Sequence, residues 1–210
     1  MHRVRIKICG ITRVEDALFI SKQGVDAIGF VFYEKSKRYI TPLDARKIVD
    51  TLPPFVSKVG VFVNKEEGLL IDIARYVKLD TIQLHGDEDL NYISNIKRFY
   101  PVIKAIPIAT EKDISNIEKY KDIHLLFDTK TKGYGGSGKT FPWEILKPYT
   151  KELNPFILSG GLNPDNIKSA IETLKPYGVD VSSGIEISPG IKDYEKILRL
   201  LKEINKIEGV

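Results

Sequence analysis

The sequence predicts an α/β fold, a single (β/α)8 TIM barrel occupying residues 1–210, and three observations carry that prediction. Eight short runs rich in β-branched and apolar residues recur along the chain. Segments with helical periodicity and helix-start residues separate them. Successive strands begin about every 25 residues without a change of composition at a midpoint, which favours a closed barrel over an open doubly wound sheet. The strands are expected at Val4–Ile8, Asp26–Phe32, Ser57–Val63, Asp80–Leu84, Val102–Ile106, Ile123–Phe127, Pro155–Leu158 and Val179–Ser182. Each is expected to lead into a helix. Thr12 with Glu15, Thr41 with Pro42, and Asn64 with Glu67 mark the first three helix starts, and the last helix is expected near Tyr194–Ile207.

Composition narrows the function classes. With 42% hydrophobic and 29% charged residues, the 210-residue chain is neither disordered, nor collagen-like, nor a small disulfide scaffold. No apolar run approaches the roughly 18 residues of a membrane-spanning helix. The N-terminus enters a strand pattern directly, without a signal-type apolar stretch, so the expected compartment is the cytoplasm. A single cysteine forms no intrachain disulfide and supplies too few ligands for a zinc or iron–sulfur site. The net charge of +4 comes from 32 basic and 28 acidic residues spread along the whole chain. Nucleic acid is therefore not an expected partner, and a small anionic ligand is.

Alternate residues of a strand point to opposite faces, so parity assigns inside and outside. In the first strand Val4, Ile6 and Ile8 should face the helices, leaving Lys7 and Cys9 inside, with Cys9 at the C-terminal end where barrel active sites lie. The same count puts Asp128, Asp180 with Ser182, and Gln83 with His85 on the interior. A buried Lys7 then needs a carboxylate. Cys9 is either a small hydrophobe or, beside Lys7 and ahead of a helix, a thiolate serving as nucleophile or general base. Asp128 is either the complementary acid or a loop cap or partner of Lys7.

The glycine turns point to phosphate. Gly160 and Gly161 close strand seven, and Ser183 and Gly184 close strand eight, the usual phosphate-binding loops of such barrels. The segment Gly133-Tyr-Gly-Gly-Ser-Gly-Lys-Thr140, containing Gly136 and Gly138, fits both the Walker A and the G-x-G-x-x-G expressions and so discriminates neither. Phe141-Pro142-Trp143 follows it where a P-loop needs a helix, so the segment reads better as a lid or an added source of backbone N–H groups. Arg38, on the loop after strand two, is either a solvated cation or a fork for a second substrate anion. The acids around Asp87–Asp89 read as first-turn helix residues rather than metal ligands.

Taken in order, Lys7-Ile-Cys-Gly-Ile-Thr12, Gly29-Phe-Val-Phe-Tyr33 with Ser36-Lys-Arg38, Gln83-Leu-His-Gly86, Phe127-Asp-Thr129, Gly135-Gly-Ser-Gly-Lys-Thr140, Ser159-Gly-Gly-Leu162 and Asp180-Val-Ser-Ser-Gly184 resemble the phosphoribosylanthranilate isomerase family of tryptophan biosynthesis. The resemblance implies an Amadori rearrangement of a phosphorylated aminosugar, with no cofactor and no metal. It implies Asp128 as general acid, Cys9 as general base and Arg38 on the anthranilate carboxylate. It further implies support from Asp180 and His85, and phosphate held by the glycine turns. Pro142 departs from the Asp that commonly follows Thr-Phe in that family. Sister barrels, such as indole-3-glycerol-phosphate synthase or a sugar-phosphate epimerase, and a non-enzymatic nucleotide-binding module are the alternatives. The chain is expected as a monomer or a homodimer.

Overall fold

The structure, a computed structural model, describes residues 3–114, 117–120, 122–130, 140–150, 153 and 155–208. Eight parallel strands close on themselves in chain order: β1 (Arg5–Cys9), β2 (Ala27–Val31), β3 (Ser57–Phe62), β4 (Thr81–Leu84), β5 (Val102–Ile108), β6 (His124–Thr129), β7 (Ile157–Leu158) and β8 (Gly178–Val181). The β1–β8 pairing that closes the barrel sets Lys7 opposite Asp180, while β1–β2 sets Cys9 opposite Gly29. Helices α1 (Val14–Lys22), α2 (Pro42–Val49), α3 (Glu67–Val77), α4 (Leu90–Lys97), α5 (Ile167–Leu174) and α6 (Tyr194–Glu208) lie between or after the strands. A two-stranded antiparallel hairpin, β9 (Glu186–Ser188) and β10 (Ile191–Lys192), intervenes between β8 and α6.

Strand parity comes out as the sequence predicts. Val4, Ile6 and Ile8 join Ile28, Phe30, Phe127 and Val179 in the apolar layer under the helices. Val59, Val61, Ala105 and Leu126 are buried but stand apart from that layer, on the interior parity shared by Lys7, Gln83 and Asp180. Barrel interiors are packed with side chains, and here the packing is tight enough to demand a glycine. A Cβ at Gly29 would sit 2.7 Å from Cys9 Sγ and 3.1 Å from Lys7 Nζ.

The expectation of a helix after every strand fails twice among the described residues. After β5 the chain makes only 3-10 turns, Glu111–Asp113 and Ile117–Tyr120. There the Asp113 carboxylate accepts from the N–H groups of Ala109 and Thr110 and tightens the first turn. After β6 the turns are Trp143–Ile145 and Lys147–Tyr149. Pro148 lacks the N–H that a continuing α-helix would use, and its ring would crowd the carbonyl four residues back.

Two helix starts also shift. Thr41 does cap α2, accepting from Asp44 N with Pro42 in the first turn. Thr12 instead donates to the Gly190 carbonyl at 2.6 Å, and α1 begins at Val14 without a side-chain cap. Asn64 gives way to Glu66, whose two carboxylate oxygens accept from Gly68 N and Leu69 N at 2.8 Å each. A side chain that finds a tertiary partner is lost to local capping.

Candidate active site

The C-terminal ends of the strands surround an open cavity. Cys9, Arg38, His85, Asp128, Asp180, Gly160, Gly161 and Ser183 all line it. Gly184 adjoins it through its loop, and Gly136 and Gly138 lie outside the described residues.

Three polar groupings order the wall. In the first, Lys7 Nζ donates to Asp180 Oδ2 at 2.8 Å with both side chains buried. Of the readings open for Lys7, this selects Asp180 rather than Asp128 as its carboxylate. Desolvation lowers the Lys7 ammonium, but the charges of Asp180 and Cys9 outweigh it, so the net movement is upward. Burial likewise pushes the Cys9 thiol above its ordinary value, with Lys7 pulling the other way and Asp180 adding to the rise. The sequence reading of a positive environment at Cys9 is therefore right about the neighbour. It is wrong about the net effect, because a thiolate loses more by desolvation than Lys7 returns.

In the second grouping Asp128 Oδ1 accepts from Thr129 N at 2.8 Å, and Oδ2 lies 3.2 Å from His85 Nε2. Gln83 Nε2 approaches His85 Nδ1 at 3.1 Å. With the Gln83 amide donating in this orientation, Nδ1 is the acceptor and Nε2 carries the hydrogen that faces Asp128. Asp128 thus sits at the end of a relay on β4 and β6, with its orientation fixed from two sides.

Arg38 heads the third grouping and differs from expectation. Its Nε and Nη2 already grip Glu186, at 2.9 Å and 3.1 Å from Nε and 2.6 Å from Nη2. Lys192 Nζ also reaches Glu186 at 2.8 Å and donates to the Cys9 carbonyl at 2.6 Å. The guanidinium's other edge has no acceptor among the described residues. Gly10 makes room for the arginine stem, since a Cβ there would sit 2.5 Å from Arg38 Cδ on a backbone at φ +76°.

The two glycine turns pack on each other. Gly160 and Gly161 adopt φ of +91° and +64°, which L side chains rarely tolerate. A Cβ at Gly160 would come within 2.6 Å of Thr129 N, and one at Gly184 would collide with the Leu162 carbonyl. Among the described residues the N–H groups of Gly160, Gly161, Ser183 and Gly184 find no internal acceptor. Such a cluster of free N–H groups suits an anion with several oxygens. Asp180 Oδ1, Ser182 Oγ and Gln83 Oε1 are also buried without a partner among the described residues, and all three residues line the cavity.

Glu186, Lys192 and Gln83 have no assigned part in the sequence reading. Parity alone could have promoted Gln83, which shares the face of His85. For Glu186 and Lys192 the alternation misleads: in the hairpin Ile187 and Ile191 read as the inward residues, yet both are exposed, Ile187 at 72%, while Glu186 and Lys192 are buried.

Residues 6–203 match the family model of N-(5'-phosphoribosyl)anthranilate (PRA) isomerase. The chain is 53% identical over 199 residues to N-(5'-phosphoribosyl)anthranilate isomerase of Thermotoga petrophila, covering 95% of this chain and 97% of the relative. A crystal structure of the Thermotoga maritima enzyme superposes with a TM-score of 0.93 at 50% identity over 99% of this chain and all of that one. Monomers of the dimeric T. maritima enzyme match with a TM-score of 0.89 at 45% identity and the same coverage. An isomerase crystallised with reduced 1-(o-carboxyphenylamino)-1-deoxyribulose 5-phosphate matches with a TM-score of 0.89 at 46% identity, again over 99% of this chain and all of that one.

Proposed function

We propose a division of labour for this cavity from the premise that the chain belongs to the phosphoribosylanthranilate isomerase family. It is an isomerase of tryptophan biosynthesis that turns the aminoaldose N-(5-phosphoribosyl)anthranilate into the aminoketose 1-(2-carboxyphenylamino)-1-deoxyribulose 5-phosphate. The rearrangement passes no electrons to a second molecule, so positioned acids and bases suffice without a cofactor or metal.

Asp128, protonated, gives its proton to the ribose ring oxygen. The bond from that oxygen to C1′ breaks as the anilino nitrogen forms C=N, leaving an open-chain protonated Schiff base. Cys9, as thiolate, then takes the C2′ proton, and the electron pair forms C1′=C2′ while the nitrogen recovers its lone pair. The resulting enolamine tautomerises to the ketone. His85, 3.2 Å from Asp128, holds the acid in line. Asp180 keeps Lys7 charged beside the thiol. Arg38 takes the anthranilate carboxylate on its free edge. Gly160, Gly161, Ser183 and Gly184 take the phosphate, with Gly136 and Gly138 assigned to the same role on sequence grounds.

The observation that carries this reading is the placing of a thiol on β1 and a carboxyl on β6 in the wall of one cavity that also holds the glycine turns. Loss of phosphoribosylanthranilate fluorescence tests it. Wild type should turn over, and Cys9→Ala and Asp128→Asn, both folded, should each fall by at least about a hundredfold. A Cys9→Ala enzyme that keeps its rate removes Cys9 as base.

The same reading makes residues 1–210 one catalytic barrel domain working in the cytoplasm. No helix among the described residues is long and apolar enough to cross a membrane. A homodimer is the assembly we favour: related monomers derive from a dimeric enzyme, and Phe55, between α2 and β3, is 96% exposed here. That loop lies at the barrel end opposite the cavity, so pairing there leaves the site open.

A further inference from the structure

We infer that Glu186 is a positioning residue: it holds Arg38 with one guanidinium edge turned to the cavity and so sets the enzyme's selectivity for the carboxylate on the substrate's aromatic ring. The inference rests on the reading of Arg38 as the carboxylate anchor and adds the group through which that anchor works.

The geometry is specific. Glu186 engages Arg38 through Nε and Nη2, the side-on edge of the guanidinium. Five N–H donors lie in one rigid plane, so fixing the side-on edge also fixes the direction of the end-on edge, Nη1 with the second hydrogen of Nη2. Among the described residues that edge has no acceptor, and Arg38 lines the cavity. The arginine's rotamer freedom is thereby spent before a ligand arrives, which is how preorganisation raises affinity.

Glu186 is itself anchored. Its carboxylate accepts from Lys192 Nζ at 2.8 Å and from Gly190 N at 3.3 Å, and its carbonyl accepts from Lys196 Nζ at 2.9 Å. Lys192 Nζ continues to the Cys9 carbonyl at 2.6 Å. One buried carboxylate therefore ties the anion anchor to the strand end that carries the thiol. Stability does not account for it: buried ion clusters are often matched or exceeded by apolar replacements. The hairpin accepts an inverted pattern to build this one, exposing Ile187 at 72% while burying Glu186 and Lys192. Local rules broken in this way point to function.

The test compares two stable ligands: reduced 1-(o-carboxyphenylamino)-1-deoxyribulose 5-phosphate and its anilino counterpart without the carboxylate. Dissociation constants are measured for wild type, Arg38→Met, Glu186→Gln and the Arg38→Met/Glu186→Gln pair. Wild type should favour the carboxylated ligand by at least about tenfold. Glu186→Gln should lose most of that preference while binding the anilino ligand within about twofold of wild type, and should add nothing to Arg38→Met. Equal weakening of both ligands in Glu186→Gln, or a preference left intact, overturns the inference while Arg38 stands. A preference that survives Arg38→Met removes the anchor itself and the inference with it. Should Glu186→Gln fail to fold, Glu186→Gln/Lys192→Met, which removes the stranded lysine, carries the same expectation.

Discussion

At Cys9 opposing influences set the protonation state: burial, with the Asp180 charge behind it, pushes the thiol above its ordinary value, and the positive charges of Lys7 and, less, Lys192 pull it back. A base must be deprotonated to act, so kcat/KM should climb with pH through a limb above the ordinary thiol range of about 8.5. Lys7→Met removes the larger opposing charge. The limb should then move to higher pH, and kcat/KM at neutral pH should fall about tenfold for each pH unit of that movement. An unmoved limb in the folded variant would show that Lys7 serves only Asp180. Gly29 offers a second check, since Gly29→Ala must displace Cys9 Sγ or Lys7 Nζ. Activity should fall well before stability does, as measured by turnover beside thermal unfolding.

Much of this residue-scale picture is legible in the sequence because a strand's period of two allows few alternatives. Once Ile6 and Ile8 face the helices, Lys7 and Cys9 face the cavity. Pairings across the barrel are not legible in that way. That Lys7 meets Asp180 while His85 meets Asp128 depends on which strands close the cylinder and in what register.

Among the elements, the loops after β5, β7 and β8 carry the consequences. Asp113 closes the turn after β5: desolvation raises its carboxyl, but Lys130 and the N–H groups of Thr110 and Ala109 outweigh that and hold it at about 2. A depressed acid stabilises the fold above its unfolded value and loses that contribution as pH falls toward the folded one. The stability gap between wild type and Asp113→Asn should therefore be full at pH 7 and close as pH falls toward about 2, as urea unfolding across that range would report. Gly160→Ala places a Cβ against Thr129 N on a backbone at φ +91°. Inorganic phosphate, as a competitive inhibitor, should bind the folded variant more weakly, and unchanged inhibition would move the phosphate elsewhere.

Element existence is readable where periodicity is long and fails where tertiary contacts intervene. Thr12 abandons its cap for Gly190. After β6 the described residues form only 3-10 turns, with Pro148 where a helix would continue. The β9–β10 hairpin inverts the usual burial of isoleucine and charge, so no reading of apolar alternation would bring Glu186 to Arg38.

For the molecule as a whole, eight evenly spaced repeats of strand and connection favour closure over an open sheet, and the parallel β1–β8 pairing completes it. Closure gathers residues separated by 173 positions, Lys7 and Asp180, into one hydrogen bond. Oligomeric state follows a different surface. If Phe55 anchors a dimer, Phe55→Glu should sediment as a monomer and keep its turnover, because the cavity lies at the opposite end of the barrel. A wild type that already sediments as a monomer would reject the assembly without touching the site.

The central claim, that Asp128 opens the ring and Cys9 then takes the C2′ proton, is tested most directly with substrate deuterated at C2′. The deuterium effect on kcat/KM should be a full primary one in Cys9→Ser, where a weaker base makes C–H cleavage the slow step. It should be close to unity in Asp128→Asn, where ring opening limits. The reverse pattern, or an effect near unity in both variants, would contradict the assignment of the two proton carriers.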